Sequence, residues 1–319
     1  MVHFKNEREA LFNMINFIIR RLLQSLLVVL GVSVIIFFLL HLAPGDPARI
    51  MVGDYGTEEQ IQLIREELGL NKPLTTQYWI FISNAIRGDL GTSLHFKKDN
   101  LEFILYYLPN TLKLTLVAFL VAVIGGLSLG IIAGTNKDSY LDLGGMGIAV
   151  LGQSTSPVWL GIVLLFVFAV ALRLVPAFGM GTWRHYILPS ISLGFPQMAM
   201  IARLTRAELV EVMNMDYIKT ARAKGLTNQT VIIKHALRNA MISVVTFLGM
   251  RVGHFIGGAV VTENIFNWPG MGTMLVRAVH GRDYPLVQAT ILIFSAVLVL
   301  SNLVVDISYA FINPRIQYH

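Results

Sequence analysis

Apolar residues in this chain gather into six blocks, at 22–42, 112–134, 143–172, 187–202, 241–261 and 286–311. A helix rises 1.5 Å per residue, so about 20 apolar residues cross a hydrocarbon core of roughly 30 Å. The pattern predicts an all-α integral membrane protein with six transmembrane helices. The fourth block is the shortest and holds Pro189 and Pro196. It is expected to be a kinked span, because in a membrane neighbouring helices and Ser or Thr side chains recover the backbone groups that proline frees.

Between the first two blocks, residues 43–110 form one large polar segment. It opens on Pro44-Gly45-Asp46-Pro47, which ends the first helix. Thr57 to Gly69 predicts a short amphipathic helix with Thr57 as N-cap, Glu58 and Glu59 in its first turn, and Ile61, Leu63, Ile64 and Leu68 as its apolar set. A second helix is expected from about Thr75 to Ile86, ending near Gly88. The segment is too small for a large core of its own, so it is expected to pack on the membrane helices as a lid.

Charge orients the spans. With the N-terminus inside, the inner pieces (1–21, 135–142, 203–240 and 312–319) hold 13 of the 25 Lys and Arg, while the two short outer loops hold Arg173, Arg184, Arg277 and Arg282. The positive-inside rule then places both termini in the cytoplasm. The net charge of +6 is read as membrane orientation and not as a nucleic-acid surface. The first block is too long for a signal-peptide core and is expected to be retained. Residues 1–13, ahead of Met14, are expected to be dispensable. The expected organisation is 1–110 as N-terminus, first helix and outer segment, 111–311 as a five-helix transmembrane domain, and 312–319 as a cytoplasmic tail.

With 55% hydrophobic and 14% charged residues, the chain lies outside the composition of soluble domains, where about a quarter of residues are charged. No cysteine is present, which excludes thiolate metal sites and a cysteine nucleophile. There is no H-E-x-x-H zinc motif and no G-x-x-x-x-G-K-[ST] phosphate loop. Gly126-Leu127-Ser128-Leu129-Gly130 has the letters of a serine-hydrolase elbow but sits inside an apolar helix, where that strand-turn-helix motif has no place. No enzyme activity and no bound cofactor are expected of this chain.

Two glycine stripes, Gly126/Gly130/Gly134 and Gly249/Gly253/Gly257, recur every fourth residue. That spacing lets helices approach closely, and the alternative is a role in gating. Arg251 and His254 fall about mid-depth in the fifth block, where a charge facing lipid costs a few kcal/mol or more. Two readings stand: a structural ion pair between Arg251 and Asp306, or Arg251 and His254 lining a translocation path and attracting a solute carboxylate.

The inner segment 203–240 carries the most patterned polar run. Asp216 is expected to cap a short helix in which Ala221 and Ala223 keep the profile slim, with Gly225 as its left-handed C-terminal residue. Such a helix, basic at Lys219, Arg222 and Lys224 and flanked by Tyr217, Ile218 and Leu226, suits a groove on a partner. Composition alone fits a solvated basic loop equally well.

The run Lys219-Thr220-Ala221-Arg222-Ala223-Lys224-Gly225-Leu226 resembles the coupling-loop motif of ABC importer permeases, in the form found in the dipeptide, oligopeptide and nickel permease family. The stretches 42–47, 68–73, 88–93 and 263–272 are similar to that family's outer-loop signatures, so the likeness covers nearly the whole chain. The sequence departs from the family pattern at His235-Ala236-Leu237-Arg238 and at Ser243, where the fifth helix begins.

The resemblance implies a subunit forming half of a transmembrane pathway for di- or oligopeptides, with nickel complexes, opines or oligosaccharides as alternative solutes. It also implies a homologous second permease, two ATPase subunits that carry the ATP and Mg, and an extracytoplasmic binding protein. Asp216, Tyr217, Thr220, Ala221, Arg222, Lys224, Gly225 and Leu226 are thereby implied as the ATPase-coupling helix. The reading from another class is an ion-coupled secondary carrier, against which stands the lack of a second copy of the six-helix pattern.

Overall fold

A computed structural model describes residues 2–42, 47–52, 57–67 and 69–312, with the side chains of 2–17, 47, 50, 51, 67 and 309–312 left undescribed. The described residues fold into helices α1 Val2–Leu42, α2 Pro47–Val52, α3 Glu58–Glu67, α4 Leu74–Ile86, α5 Asn100–Thr135, α6 Tyr140–Ser154 and α7 Pro157–Leu164. They continue with α8 Arg184–Met213, α9 Asp216–Ala223, α10 Asn228–Thr230, α11 Arg238–Ile265, α12 Met271–His280 and α13 Tyr284–Ile312. Two π-helical stretches, Leu165–Ala171 and Val231–Leu237, follow α7 and precede α11. Five helical stretches are long and apolar enough to cross a membrane, and the pair α6 and α7 is a sixth if counted as one.

The third block departs from expectation, because α6 and α7 meet at 105°. Proline disfavours helical backbone at the residue before it; here Ser156 is extended (ψ 134°), accepts from the Val158 amide through its hydroxyl and starts α7 on Pro157. The fourth span is also longer than its apolar block. Helix α8 runs on to Met213 because Leu209 and Val212 continue the buried face beyond the last membrane residue. Helix α12 was not expected; its buried Met271, Met274 and Ala278 recur at helical spacing.

The chain forms two compact units, Met1–Asn110 with Gly270–His319, and Thr111–Pro269. In the first, α1 packs on α13 around Ile36, Ile104, Met274, Leu286 and Ala289. Buried Asp283 organises its loops. It accepts from the Ser93 hydroxyl, from the His95 amide at 3.2 Å and from the Leu286 amide at 3.3 Å, capping α13. Asn100 donates to the Leu90 carbonyl at 2.9 Å, and Gly88 and Gly91 (φ +86° and +73°) supply the left-handed turns between. Thr57 caps α3 as expected, in a reciprocal box: the Gln60 amide donates to its hydroxyl at 3.3 Å and its own amide to the Gln60 side chain at 3.1 Å. Leu63, expected among the apolar set, is exposed. Leu68 and the turn at 43–46 lie outside the described residues.

In the second unit α5 lies against α8 at backbone distance. A Cβ at Gly126 would sit 2.7 Å from Ile201, and one at Gly130 would sit 2.6 Å from the Ala202 carbonyl oxygen. At Gly134 it would meet Leu209 at 3.0 Å, and at Gly194 the Ala118 carbonyl oxygen at 2.8 Å. The first stripe is thus a packing face, and the G-x-S-x-G letters belong to it. The second stripe is not one face. Gly249 is buried, Gly257 is open, and the contact of α11 with α8 falls at Gly258, whose added Cβ would lie 2.8 Å from Leu193.

Gly130→Ala is therefore expected to destabilise the protein by about 1–3 kcal/mol through overpacking. Gly144→Ala, with open space at its Cβ, should be neutral or stabilising by up to about 1 kcal/mol from helix propensity. Thermal unfolding of the two variants in one detergent tests the contrast, and equal melting temperatures would refute it.

Candidate functional site

The run from Met215 to Ala240 folds back on the end of α8. Helix α9 seats Ile218, which is 0% exposed, and Ala221 against Leu209 and Val212 of α8, Val231 and Ala236 of the π-helical stretch, and Ala240 of α11. Its other face is exposed at Asp216, Tyr217, Lys219, Thr220, Arg222, Ala223 and Lys224. Ala221 therefore belongs to the seat, and Ala223 is the small residue that faces outward. Tyr217 is held in place by the Asn239 amide, which donates to its hydroxyl at 2.7 Å.

Asp216 is not the cap. The N-cap is Met215, extended and without a side-chain bond, because Asp216 is already helical; its carboxylate pairs with Lys219 at 2.8 Å, on the first turn. There its charge meets the positive end of the helix. The C-terminus follows the expected chemistry. Gly225 is left-handed (φ +78°), its amide donates to Arg222 O at 2.9 Å and the Leu226 amide to Ala221 O at 3.4 Å, a glycine-terminated helix end. No atom lies within 4 Å of a Cβ built on Gly225, so conformation alone demands glycine there. Leu226 is exposed beside it.

Two features beneath this helix escaped the sequence reading. Arg206 of α8 grips Asp142 of α6 in a two-pronged ion pair, Nε at 3.0 Å and Nη2 at 2.7 Å. Asp142 also accepts from the Asp138 amide at 3.1 Å. The signal was present as a carboxylate three residues past Ser139, whose hydroxyl caps α6. The second feature is the π-helical stretch 231–237, which stands where the sequence departs from the family pattern.

Arg251 and His254 both lie on α11. The Arg251 guanidinium carbon sits 4.8 Å from the centre of the Phe247 ring, and His254 is exposed. Asp306, the expected partner of Arg251, is instead 3.2 Å from Arg21 Nη1. The reason is the packing of α1 along α13, which brings these two residues together at one end of the pair. Among the described residues no group of three metal-ligating side chains occurs.

Residues 126–318 match the model of the binding-protein-dependent transport system inner membrane component, and residues 14–115 match that of the N-terminal part of such membrane components. The glutathione transport system permease protein GsiC of Escherichia coli K12 is 46% identical over 305 residues, spanning 96% of this chain and 100% of its own length. The protein of that name from Shigella dysenteriae serotype 1 matches to the same extent. Among solved structures, an inward-facing MetNI methionine ABC transporter covers 67% of this chain and 97% of its own (TM-score 0.58, 15% identity). An amino acid ABC transporter with histidines covers 67% of this chain and 94% of its own (TM-score 0.52, 16% identity). At these identities the structures speak for the fold alone.

Ile218→Ala is expected to loosen α9 from its seat at a cost of about 2–5 kcal/mol, the range for emptying a buried aliphatic site. Faster amide exchange across 216–223, with the rest of the chain unchanged, is the expected readout; unchanged exchange would show that the seat does not hold the helix.

Proposed function

This chain belongs to the binding-protein-dependent transport system inner membrane component family, as a multi-pass permease subunit of an ABC importer in a bacterial inner membrane, and we propose that it forms half of an import path for small peptides. It is a transport subunit and not an enzyme, and its family implies ATPase and binding-protein partners. A second homologous permease completes the path, and two ATPase subunits carry the ATP and Mg. Both termini lie in the cytoplasm, which puts the segment 48–107 at the outer side of the membrane, the side of the binding protein.

The observation that carries this reading is α9: a short helix buried on one face and, on the other, exposed and basic, with Thr220 and Ala223 as the small residues of that face. Its outward residues Tyr217, Thr220, Arg222, Ala223 and Lys224 are the ATPase contact, with Gly225 and Leu226 closing the helix. The relatives named for glutathione transport make a small anionic peptide the first solute to test. The Arg251 guanidinium lies over the Phe247 ring, an arrangement in which its N–H donors can take a carboxylate, and exposed His254 lies one turn further along α11.

Replacing Gly225 by Val is expected to abolish uptake while membrane insertion persists, because a β-branched residue is strained at positive φ. Asn, which tolerates that region, should restore most of it. A crosslinker at Ala223 should reach an ATPase subunit and one at Ala221 should not. Full uptake by Gly225→Val, with no ATPase crosslink from Ala223, would exclude the assignment.

Arg251→Ala should assemble normally yet slow uptake of anionic peptides more than neutral ones, by about tenfold if one charge-assisted contact of roughly 1.5 kcal/mol is lost. Equal uptake of both classes, measured with radiolabelled peptides in proteoliposomes, would remove Arg251 from the path.

A further inference from the structure

Within the first unit a cavity of about 560 Å³ opens between the C-terminal end of α1, helix α4 with the turn before it, and the first turn of α13. This is well inside the roughly 300–1,000 Å³ of small-molecule sites. Its apolar floor is set by Phe37, Leu40, Ile80 and Phe81, while Arg65, Asn71 and Gln288 bring polar groups to its wall. No carboxylate is among its described lining residues. Its shape is fixed by a polar network. His41 bonds to Phe37 O at 2.8 Å and to the Gln77 side-chain oxygen at 3.1 Å, and Gln77 donates to Leu70 O and Lys72 O at 3.0 and 2.8 Å.

The depth of this cavity identifies its solvent. Counting from Arg21, the 21 residues to Leu42 rise about 31 Å and fill a hydrocarbon core, so Leu42 lies near one membrane boundary. Tyr78 of α4 reaches the Ser33 hydroxyl at 2.9 Å, about 14 Å below Leu42 at 1.5 Å per residue. Phe37 stacks on Phe81 and meets Tyr78 edge-on. Helix α4 carries no charged residue in its 13 and turns outward Trp79 and Ile86, 68% and 80% exposed. An uncharged helix that leans on a span this far below its end, with a bare indole and isoleucine, is bathed by lipid and not by water.

We propose that the cavity is a phospholipid site: a phosphodiester headgroup held at the polar wall by Arg65, Asn71 and Gln288, with an acyl chain running over the apolar floor and down the same side of α1 at exposed Val34 and Leu30. A transported peptide fits it less well, because its ammonium would meet no carboxylate among the described lining residues. The membrane faces of α1 and α4 supply the acyl chain's partner surface, and α1 is the least buried of the five candidate spans. The bound lipid then acts as mortar between α4 and the two spanning helices. The leaflet concerned is the outer one under the topology proposed above, and only that detail rests on it.

The test uses the assembled transporter in nanodiscs of phosphatidylethanolamine and phosphatidylglycerol. A benzoylphenylalanine in place of Tyr284, an aromatic residue that already lines the cavity, is expected to add the mass of a phospholipid on irradiation, and one at Thr57, the cap of α3, is not. In native mass spectrometry, retained phospholipid should fall about tenfold in Gln288→Trp, which fills the cavity, and in Leu74→Trp, which does so from the opposite wall should the first fold poorly. Soluble glycerophosphoethanolamine should not compete. Adducts to the binding protein in place of lipid, undiminished lipid in both filled variants, or competition by the soluble headgroup would each overturn the site. Thiol labelling of Thr57→Cys with an impermeant reagent separately reports the side of the membrane, so an error of topology cannot be mistaken for an error about lipid.

Discussion

In hydrocarbon two helices gain nothing by hiding apolar side chains from the solvent, so they stay together only by packing atoms closely and by pairing polar groups. The approach of α5 to α8 at Gly126, Gly130 and Gly134 meets that condition, since the first two positions leave room for no more than a hydrogen and the third holds Leu209 in tight contact. Gly194 repeats it from the α8 side against Ala118. With the backbones this close, α8 cannot rotate or slide without displacing α5. The helix that passes Pro189 and Pro196 is thereby locked to α5, and everything hung on its far end moves with that pair.

The same scarcity of water governs the polar groups. Asp283 is fully buried, and three donors from the 93–95 turn and α13 replace its hydration. Arg206 and Asp142 satisfy one another in two-pronged geometry, the arrangement in which guanidinium and carboxylate bind most strongly. Glu263, also fully buried, accepts from the Thr111 hydroxyl at 2.6 Å. These groups act as registration pins: removing one member leaves the other buried without its partner, which costs more than the bond itself.

Long apolar runs were legible because length alone distinguishes a span from a buried helix, and the ends of α3, α4 and α9 were legible because Thr57, Gly88 and Gly225 are local signals. The break at Thr155-Ser156-Pro157 was written in the sequence but was outweighed by the unbroken apolar run around it. Partners in space were not legible. Nothing in the sequence favours Arg21 over Arg251 for Asp306, since the choice follows from α1 packing along α13. Nor does a helical wheel say which glycines of α11 meet a neighbour; only the placement of Leu193 on α8 selects Gly258. At α9 the sequence marked a slim basic helix but could not say which alanine faced inward. That depended on Val231, Ala236 and Ala240 arriving from beyond it in the chain.

That arrival also determines what a push on α9 does. Ile218 and Ala221 rest at once on the end of α8 and on the start of α11, two helices already in contact along their lengths. Closely packed interiors do not absorb a displacement in soft side chains; they pass it on or switch between packings. A partner bearing on the exposed face would therefore move α8 and α11 together. The π-helical stretch at 231–237, which supplies Val231 and Ala236 to the seat and leads into α11, is an irregular element in that route, of a kind that recurs at functional sites. On the proposed reading, the force of nucleotide-driven closure reaches Arg251 and His254 by this path. It does so through α11 itself, with no separate linkage needed, because the helix that forms part of the seat is the helix that carries both residues.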